Sequence, residues 1–167
     1  GVAQDYAEAR KLWQLAAVQG NAEAQTNLGG MYATGQGVAQ DFAKAVKWWQ
    51  LAAAQGSAKA QSNLGLAYAM GQGVEQDYVE ARKWWRHAAA QAYGEAQNNL
   101  GMMYAIGKDV AQDDVRALMW FILGVAHGDA TAEANRDNVA KGMTRQQIDQ
   151  AKQMARECVQ RNYKGCD

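Results

Sequence analysis

The sequence predicts an all-α protein made of stacked helix hairpins, because the same pattern returns every 36 residues and the composition favours helices. The period is shown by the aspartates Asp5, Asp41, Asp77 and Asp113. It is shown again by Val2, Val38, Val74 and Val110, and by Gly29, Gly65 and Gly101. A constant period of this length is typical of supersecondary units that pack on their neighbours. Proline is absent, and alanine, tryptophan and methionine are abundant, which favours helices over strands.

The first helix of each unit is predicted over residues 22–34, 58–70 and 94–106. Asn21 and Ser57 precede it and are good N-caps, whereas Tyr93 is a poorer one. Gly20 and Gly56 can take the left-handed conformation that ends the preceding helix.

Three faces appear when the first helix is projected at 3.6 residues per turn. The apolar face is assigned to the core and carries Ala24, Leu28, Met31 and Tyr32. A second face of small residues carries Ala22, Gly29 and Ala33, and it predicts a close approach of backbones. The third face varies among the units and carries Glu23, Thr26, Asn27, Gly30 and Thr34.

The second helix is predicted to begin at the repeated aspartate, a favourable N-cap. Glu8 and Glu80 follow their aspartates by three residues, which predicts a capping box in two units. The loop before this helix contains glycines that permit positive φ and a valine that can anchor it.

The repeat degenerates towards the C-terminus, where Arg136 replaces the leucine of earlier units, as expected of a terminal cap. Thr144 and Gln147 predict a capping box for a last helix ending near Arg161. The predicted domains are therefore the repeat region, residues 1–142, and a capping helix with its tail, residues 143–167.

The pattern resembles the Sel-one-like repeat, a relative of the tetratricopeptide repeat. The residues that carry the resemblance are Ala60-Gln61-Ser62-Asn63-Leu64-Gly65, Tyr68, Gly71-Gln72-Gly73-Val74, Asp77, Ala81, Trp84-Trp85 and Ala88-Ala89. They recur in phase from residue 1 to about residue 130. Asp109 and Ala92 depart from the pattern, since each replaces a turn glycine. The resemblance implies a right-handed α/α superhelix that acts as an adaptor or scaffold, and export to the bacterial cell envelope or contact with host proteins.

If the first helices line a concave groove, as the resemblance implies, their variable faces bind a peptide or protein. The residues assigned to this groove are Asn27, Ser62, Asn63, Leu66, Met70, Asn98, Asn99, Met102 and Ile106. Side-chain amides can bond a peptide backbone, and methionine adapts to apolar partners. The alternative is that each asparagine satisfies a backbone group in the next unit.

Two other functions remain open. A small envelope ligand such as a peptidoglycan fragment would use the groove amides with Tyr32, Tyr68 and Tyr104. An enzyme would need His127 to converge with acids, and no catalytic motif is present among only two histidines and two serines. The chain is therefore expected not to be an enzyme and to need no metal or cofactor. The helical spacing of Trp48, Trp49, Trp84, Trp85 and Trp120 favours packing over a stacking platform.

Cys158 and Cys166 are either two free thiols or a disulfide that holds the C-terminus, and the second is favoured. A bridge would suit the periplasm or secretion.

Lys plus Arg equals Asp plus Glu, at 17 each, so no nucleic-acid partner is expected. The longest apolar run is too short for membrane insertion. Gly1 aligns with the middle of a repeat, which suggests a fragment or mature form whose Tyr6 to Gln19 helix exposes an apolar face and drives homodimerisation.

Overall fold

The computed structural model describes the backbone of residues 2–166 and the side chains of residues 8–166, and in that range all regular structure is helical. The helices are α1 (Val2–Val18), α2 (Ala22–Thr34), α3 (Phe42–Ala54), α4 (Ala58–Met70), α5 (Tyr78–Ala89), α6 (Gly94–Ile106), α7 (Asp114–Ala126), α8 (Ala130–Ala140) and α9 (Arg145–Gln160). The predicted all-α class is confirmed.

The first helices of the repeats, α2, α4 and α6, begin and end at the predicted residues. The Asn21 side chain accepts a hydrogen bond from the Ala24 amide at 2.8 Å, and the Ser57 hydroxyl accepts one from the Ala60 amide at 3.3 Å. Tyr93 makes no such capping bond. Its hydroxyl instead donates to Glu95 at 3.4 Å, and burial, supported by the Glu95 charge, raises the pKa of Tyr93 to about 12.

The second helices follow their aspartates, but the predicted capping box at Asp77 is only half formed. The Asp77 carboxylate accepts from the Glu80 amide at 3.1 Å. The reciprocal bond is missing because the Asp77 amide donates to the Tyr68 carbonyl at 3.0 Å. The same bond joins Asp41 to Tyr32 and Asp113 to Tyr104. Each loop is thus closed onto the first helix of its own repeat.

Helix α1 begins at Val2, so the predicted start at Asp5 is wrong, and the Asp5 side chain lies outside the described residues. Residues 38–40 of the next repeat are held as a loop by the bond from Asp41 to Tyr32. Alanine and glutamine at the equivalent positions before Asp5 take the helical conformation that they favour intrinsically.

The last two helices are α8, capped by Asp129, and α9, capped by Thr144. The predicted capping box is complete, with the Gln147 amide donating to Thr144 Oγ1 at 3.3 Å and the Thr144 amide donating to Gln147 Oε1 at 2.8 Å. The predicted C-terminal helix is confirmed.

The chain divides into two compact units, unit 1 (Gly1–Trp84) and unit 2 (Trp85–Asp167), with the boundary inside α5. In unit 1, α2 packs on α1 and α3, and α3 packs on α4. Its core contains Trp49 and the fully buried Leu64, with Val74 of the loop packed against it as predicted. In unit 2, α7 packs on α6, α8 and α9. Its core includes Leu100, Leu118 and Phe121, all at most 2 % exposed.

The small-residue face makes room for an aromatic ring, besides the predicted close approach of backbones, which is seen at Gly94, where a Cβ would lie 2.9 Å from the His127 carbonyl oxygen. A Cβ on Gly29 would overlap the Trp49 indole, and a Cβ on Gly101 would lie 2.6 Å from the Phe121 ring. The nearest carbonyl oxygens are farther away, at 3.1 Å. Glycine in mid-helix costs about 1 kcal/mol against alanine, and here that cost is offset by burial of the ring.

Candidate functional site

A cleft in unit 1 lies between the first helices of two successive repeats. Its volume is about 230 Å³. The lining residues are Gly30, Ala33, Thr34, Phe42, Trp49, Asn63, Leu66, Ala67 and Gln72. Helices α2 and α4 supply the walls, and α3 supplies the aromatic side chains. We call it cleft 1.

The cleft in unit 2 occupies the same place in the repeat. Its volume is about 280 Å³, and its lining residues are Met102, Ala105, Ile106, Asp114, Phe121, Asn135, Asn138 and Val139. Each of them stands 72 residues, or two periods, after a residue that lines cleft 1. We call it cleft 2. A recess that returns in register is a property of the repeat and not an accident of one surface.

Local structure fixes the aromatic floor of each cleft. Gly29 and Gly101 leave space for Trp49 and Phe121 at the base of the wall. The Trp49 indole also donates to the Thr26 carbonyl at 3.2 Å. Asp41 caps α3 directly before Phe42, and the Lys44 amide that donates to its carboxylate is the main reason its pKa is lowered.

Most residues assigned to the groove from sequence lie at or beside these clefts. Asn63 and Leu66 line cleft 1, and Met102 and Ile106 line cleft 2. Met70 is 56 % exposed one turn after Leu66, while Asn27 and Asn99 are half-buried. In the part of the chain that the structure describes, the side-chain amides of Asn27, Asn63 and Asn99 make no hydrogen bond.

Ser62 and Asn98 are buried, which corrects their assignment to an open groove. Ser62 is 0 % exposed and Asn98 is 7 % exposed. Asn98 donates to Thr131 at 3.0 Å and accepts from Asn135 at 2.8 Å. Thr26, at the same place in its repeat, bonds Ser57 at 3.1 Å. This position joins one first helix to the next through side-chain hydrogen bonds.

Sequence reasoning missed Phe42, Asp114, Asn135 and Asn138, which also line the clefts. It assigned the groove to the first helices of complete repeats alone. The signal was available in the 36-residue period, because Asn135 is in register with Asn63, and Asp114 with Phe42.

The sequence matches the model of the Sel1 repeat in four segments, residues 1–21, 22–57, 58–93 and 94–129. The chain belongs to the Sel1 repeat family. Proteins of this family generally act as protein-interaction scaffolds and are typically non-catalytic. The predicted repeat solenoid is confirmed by these matches together with the helices.

Two solved structures are similar to this Sel1 repeat chain. One is a protective antigen present in uropathogenic Escherichia coli strains that displays an SLR fold; it is 34 % identical, with a TM-score of 0.84. The match covers 94 % of this chain and 34 % of the antigen, so this chain spans about a third of the antigen's length. The other is a Sel1 repeat protein from Oxalobacter formigenes, which is 30 % identical with a TM-score of 0.76. This match covers 93 % of this chain and 69 % of the Oxalobacter formigenes protein. A search of curated proteins gave no match.

The aromatic residues of the Sel1 repeats mainly pack, as predicted. Trp49, Trp85 and Trp120 are at most 7 % exposed, and Trp48 and Trp84 pack against the core clusters. Tyr104, assigned to a small-ligand site in the alternative hypothesis, is 6 % exposed. Its ring is covered by the Arg116 guanidinium, 5.9 Å from the ring centre.

His127 takes part in a contact between the last repeat and the C-terminal tail. Its Nδ1 lies 2.8 Å from Gln97 Oε1, and its Nε2 lies 2.9 Å from the Tyr163 hydroxyl. Because the amide oxygen can only accept, Nδ1 carries the proton. Cys158 and Cys166 flank this contact and are joined in a disulfide.

No group of three or more His, Cys, Asp and Glu residues in the described range is arranged to hold a metal. No described helix is both long and apolar enough to cross a membrane.

Proposed function

We propose that this chain is a scaffold that binds a segment of a partner protein, or a peptide, in clefts 1 and 2. The observation that carries this proposal is the recurrence of one cleft at the same repeat position in both units. Two recesses of equal design suit a ligand that presents more than one side chain. A single deep pocket, which a small ligand would favour, is a different arrangement.

The exposed side chains around the clefts support the same proposal. Leu66 is 39 % exposed, Met102 37 % and Ile106 56 %, although large apolar side chains are normally buried. These flexible side chains can adapt to an apolar partner surface. The half-buried amide of Asn63 has both a donor and an acceptor available for a peptide backbone.

We also propose that the protein acts in the periplasm or outside the cell, in the envelope or in contact with a host. The disulfide between Cys158 and Cys166 supports this proposal, because such bonds persist in oxidising compartments. Fractionation of expressing cells tests it, and recovery of the protein with the cytosolic fraction would contradict it.

Self-association through α1 stays a prediction, supported by Leu12, Leu15 and Val18, which are 66, 63 and 72 % exposed. Beside them Ala9, Leu12, Trp13 and Ala16 line a shallow recess. Sedimentation equilibrium measures the outcome, and a monomer at every concentration would refute the prediction.

The binding proposal is tested with peptides selected from a random display library against the whole chain. Leu66→Ser removes an apolar contact at cleft 1 and should weaken a selected peptide that binds there by about tenfold, the effect of losing one well-buried contact. Leu51→Ser is the matched control. Leu51 is 51 % exposed on α3 and does not line a cleft.

Both variants should melt at nearly the wild-type temperature, because both residues are exposed. Binding in the clefts would be refuted if Leu66→Ser and Leu51→Ser weakened peptide binding equally. It would also be refuted if the double variant Leu66→Ser/Met102→Ser bound the peptide as tightly as wild type. Substitution of Asn63 and Asn99 together should likewise weaken binding without loss of fold.

A further inference from the structure

The two clefts occupy equivalent places but differ at several lining positions, and at two of these a polar side chain in cleft 2 stands where cleft 1 has an apolar one. Where cleft 1 has Phe42, cleft 2 has Asp114, and where cleft 1 has Leu66, cleft 2 has Asn138. The pair Asn63 and Asn135 is unchanged. A carboxylate and an amide have therefore replaced two apolar side chains in a recess of the same design.

Among the described residues, no basic side chain neutralises Asp114. The nearest basic residue along the helix, Arg116, pairs with the N-cap Asp113, with Nη1 at 2.6 Å from Oδ2. The Asp114 carboxylate accepts from the Gln112 amide at 3.5 Å, the outer limit of a hydrogen bond. Within the described residues, no Lys, Arg or His lies within ion-pair distance of Asp114.

The amides of cleft 2 add further acceptor capacity. Asn135 uses its NH₂ group to donate to Asn98 at 2.8 Å, which leaves its own oxygen available. Asn138 is exposed, and its side chain makes no hydrogen bond in the described part of the chain. The acceptors stand beside the apolar side chains of Met102, Ile106 and Phe121.

We propose that cleft 2 is specific for a lysine or arginine side chain of the bound protein segment, with Asp114 as its counter-charge. This inference rests on the proposed function. The ammonium of lysine and the guanidinium of arginine carry only donors, which the acceptors of the cleft complement. Their aliphatic stems are apolar and can lie against Met102 and Ile106. The described residues that line cleft 1 include no carboxylate, and this cleft takes an apolar side chain.

The test uses n-butylammonium chloride, which represents the end of a lysine side chain, with 1-butanol as its neutral counterpart. Both are titrated into the whole chain carrying ¹³C-labelled methyl groups on methionine and isoleucine. Butylammonium should give saturable shifts at Met102 and Ile106, and butanol should bind more weakly. Added salt should weaken the binding of butylammonium and leave the binding of butanol unchanged, because salt screens partly exposed charges.

Asp114→Asn keeps the shape and removes the charge, and it should weaken butylammonium by about threefold to fivefold, as expected for a partly exposed ion pair. Asp149→Asn removes the same charge from an exposed position on α9 and should have no effect. Phe42→Asp places a carboxylate at the equivalent position of cleft 1 and should create butylammonium binding there, detected at the methyl group of Met70, which lies one turn after Leu66.

Equal shifts with butanol and butylammonium, or equal binding by wild type and Asp114→Asn, would refute the inference. The outcome is separable from that of the proposed function. Suppose that Leu66→Ser weakens binding of a display-selected peptide, while Asp114→Asn leaves butylammonium binding unchanged. The proposed scaffold function would then be supported, and the proposed specificity of cleft 2 for a basic side chain would be refuted.

Discussion

At the scale of single residues, Ala92 shows how the repeat tolerates a departure from its own pattern. The equivalent residues Gly20, Gly56 and Gly128 have φ of 92°, 90° and 83°, and Ala92 keeps the left-handed conformation with φ of 59°. A Cβ on any of these glycines would meet no atom within 4 Å. Ala92 is therefore tolerated for lack of a clash, although its backbone conformation is unfavourable for an L-residue.

Ala92→Gly is expected to stabilise the protein by about 0.5 to 1 kcal/mol. The left-handed conformation costs an L-residue about 1 to 2 kcal/mol, and the greater freedom of glycine in the unfolded chain offsets part of the gain. Urea unfolding measures the difference. Ala54→Gly, at an exposed helical position of α3, should have the opposite sign. Destabilisation by both substitutions would contradict the prediction.

The departure at Asp109 follows the same logic. It replaces a loop glycine and has φ of 60°. Aspartate is among the few residues that enter this region easily, because its short side chain can bond locally. Both departures replace a turn glycine, and the backbone keeps the left-handed conformation in both.

At the scale of helices, one repeated glutamine joins each first helix to the helix before it. The Nε2 atoms of Gln25, Gln61 and Gln97 donate to the carbonyls of Ala17, Ala53 and Ala89 at 3.0, 3.3 and 3.2 Å. These carbonyls lie near the C-terminal ends of second helices, where backbone acceptors lack helical partners. All three glutamines are at most 6 % exposed.

Gln97→Leu is expected to destabilise the protein by about 2 to 3 kcal/mol. The leucine fills similar space, but the Ala89 carbonyl loses one of its two hydrogen bonds and keeps that of the Ala92 amide, while His127 Nδ1 loses its partner inside the fold. A lost hydrogen bond costs about 1 kcal/mol, and a polar group left unsatisfied costs about 1 to 3 kcal/mol. Urea unfolding of the whole chain measures the loss. Gln146→Leu makes the same change at an exposed position of α9 and should be nearly neutral. If the two variants unfold alike, the glutamine contributes nothing by its hydrogen bonds.

The glutamines also show which features local sequence can predict. The bounds of α2, α4 and α6 were predicted because caps such as Asn21 act within one turn. The burial of Gln97 was not predicted, because it depends on a carbonyl eight residues away and on His127, 30 residues away. Asn98 was assigned to the open face for the same reason. Its partners, Thr131 and Asn135, belong to the next repeat.

At the scale of the whole chain, the repeat makes stability a sum of local terms. In repeat proteins each unit is stabilised by its own packing and by its neighbours, so a local change has local effects. The C-terminal disulfide joins residues eight apart, and α9 packs on α7 of the same unit. Reduction is therefore expected to act on unit 2 and to leave α2, α3 and α4 unaffected.

In the chain-entropy model, closing the C-terminal loop with a disulfide stabilises the folded state by about 2.5 kcal/mol. Reduction should therefore lower the protection of amides against hydrogen exchange by roughly fiftyfold to hundredfold. Hydrogen exchange resolved by peptide, with and without reductant, measures it along the whole chain. Amides of α9 should lose protection, and those of α2 to α4 should keep theirs. Titration of the denatured, unreduced protein should find no free thiol. Two reactive thiols would show that the bridge does not form, and an equal loss of protection in both units would show that stability is not local.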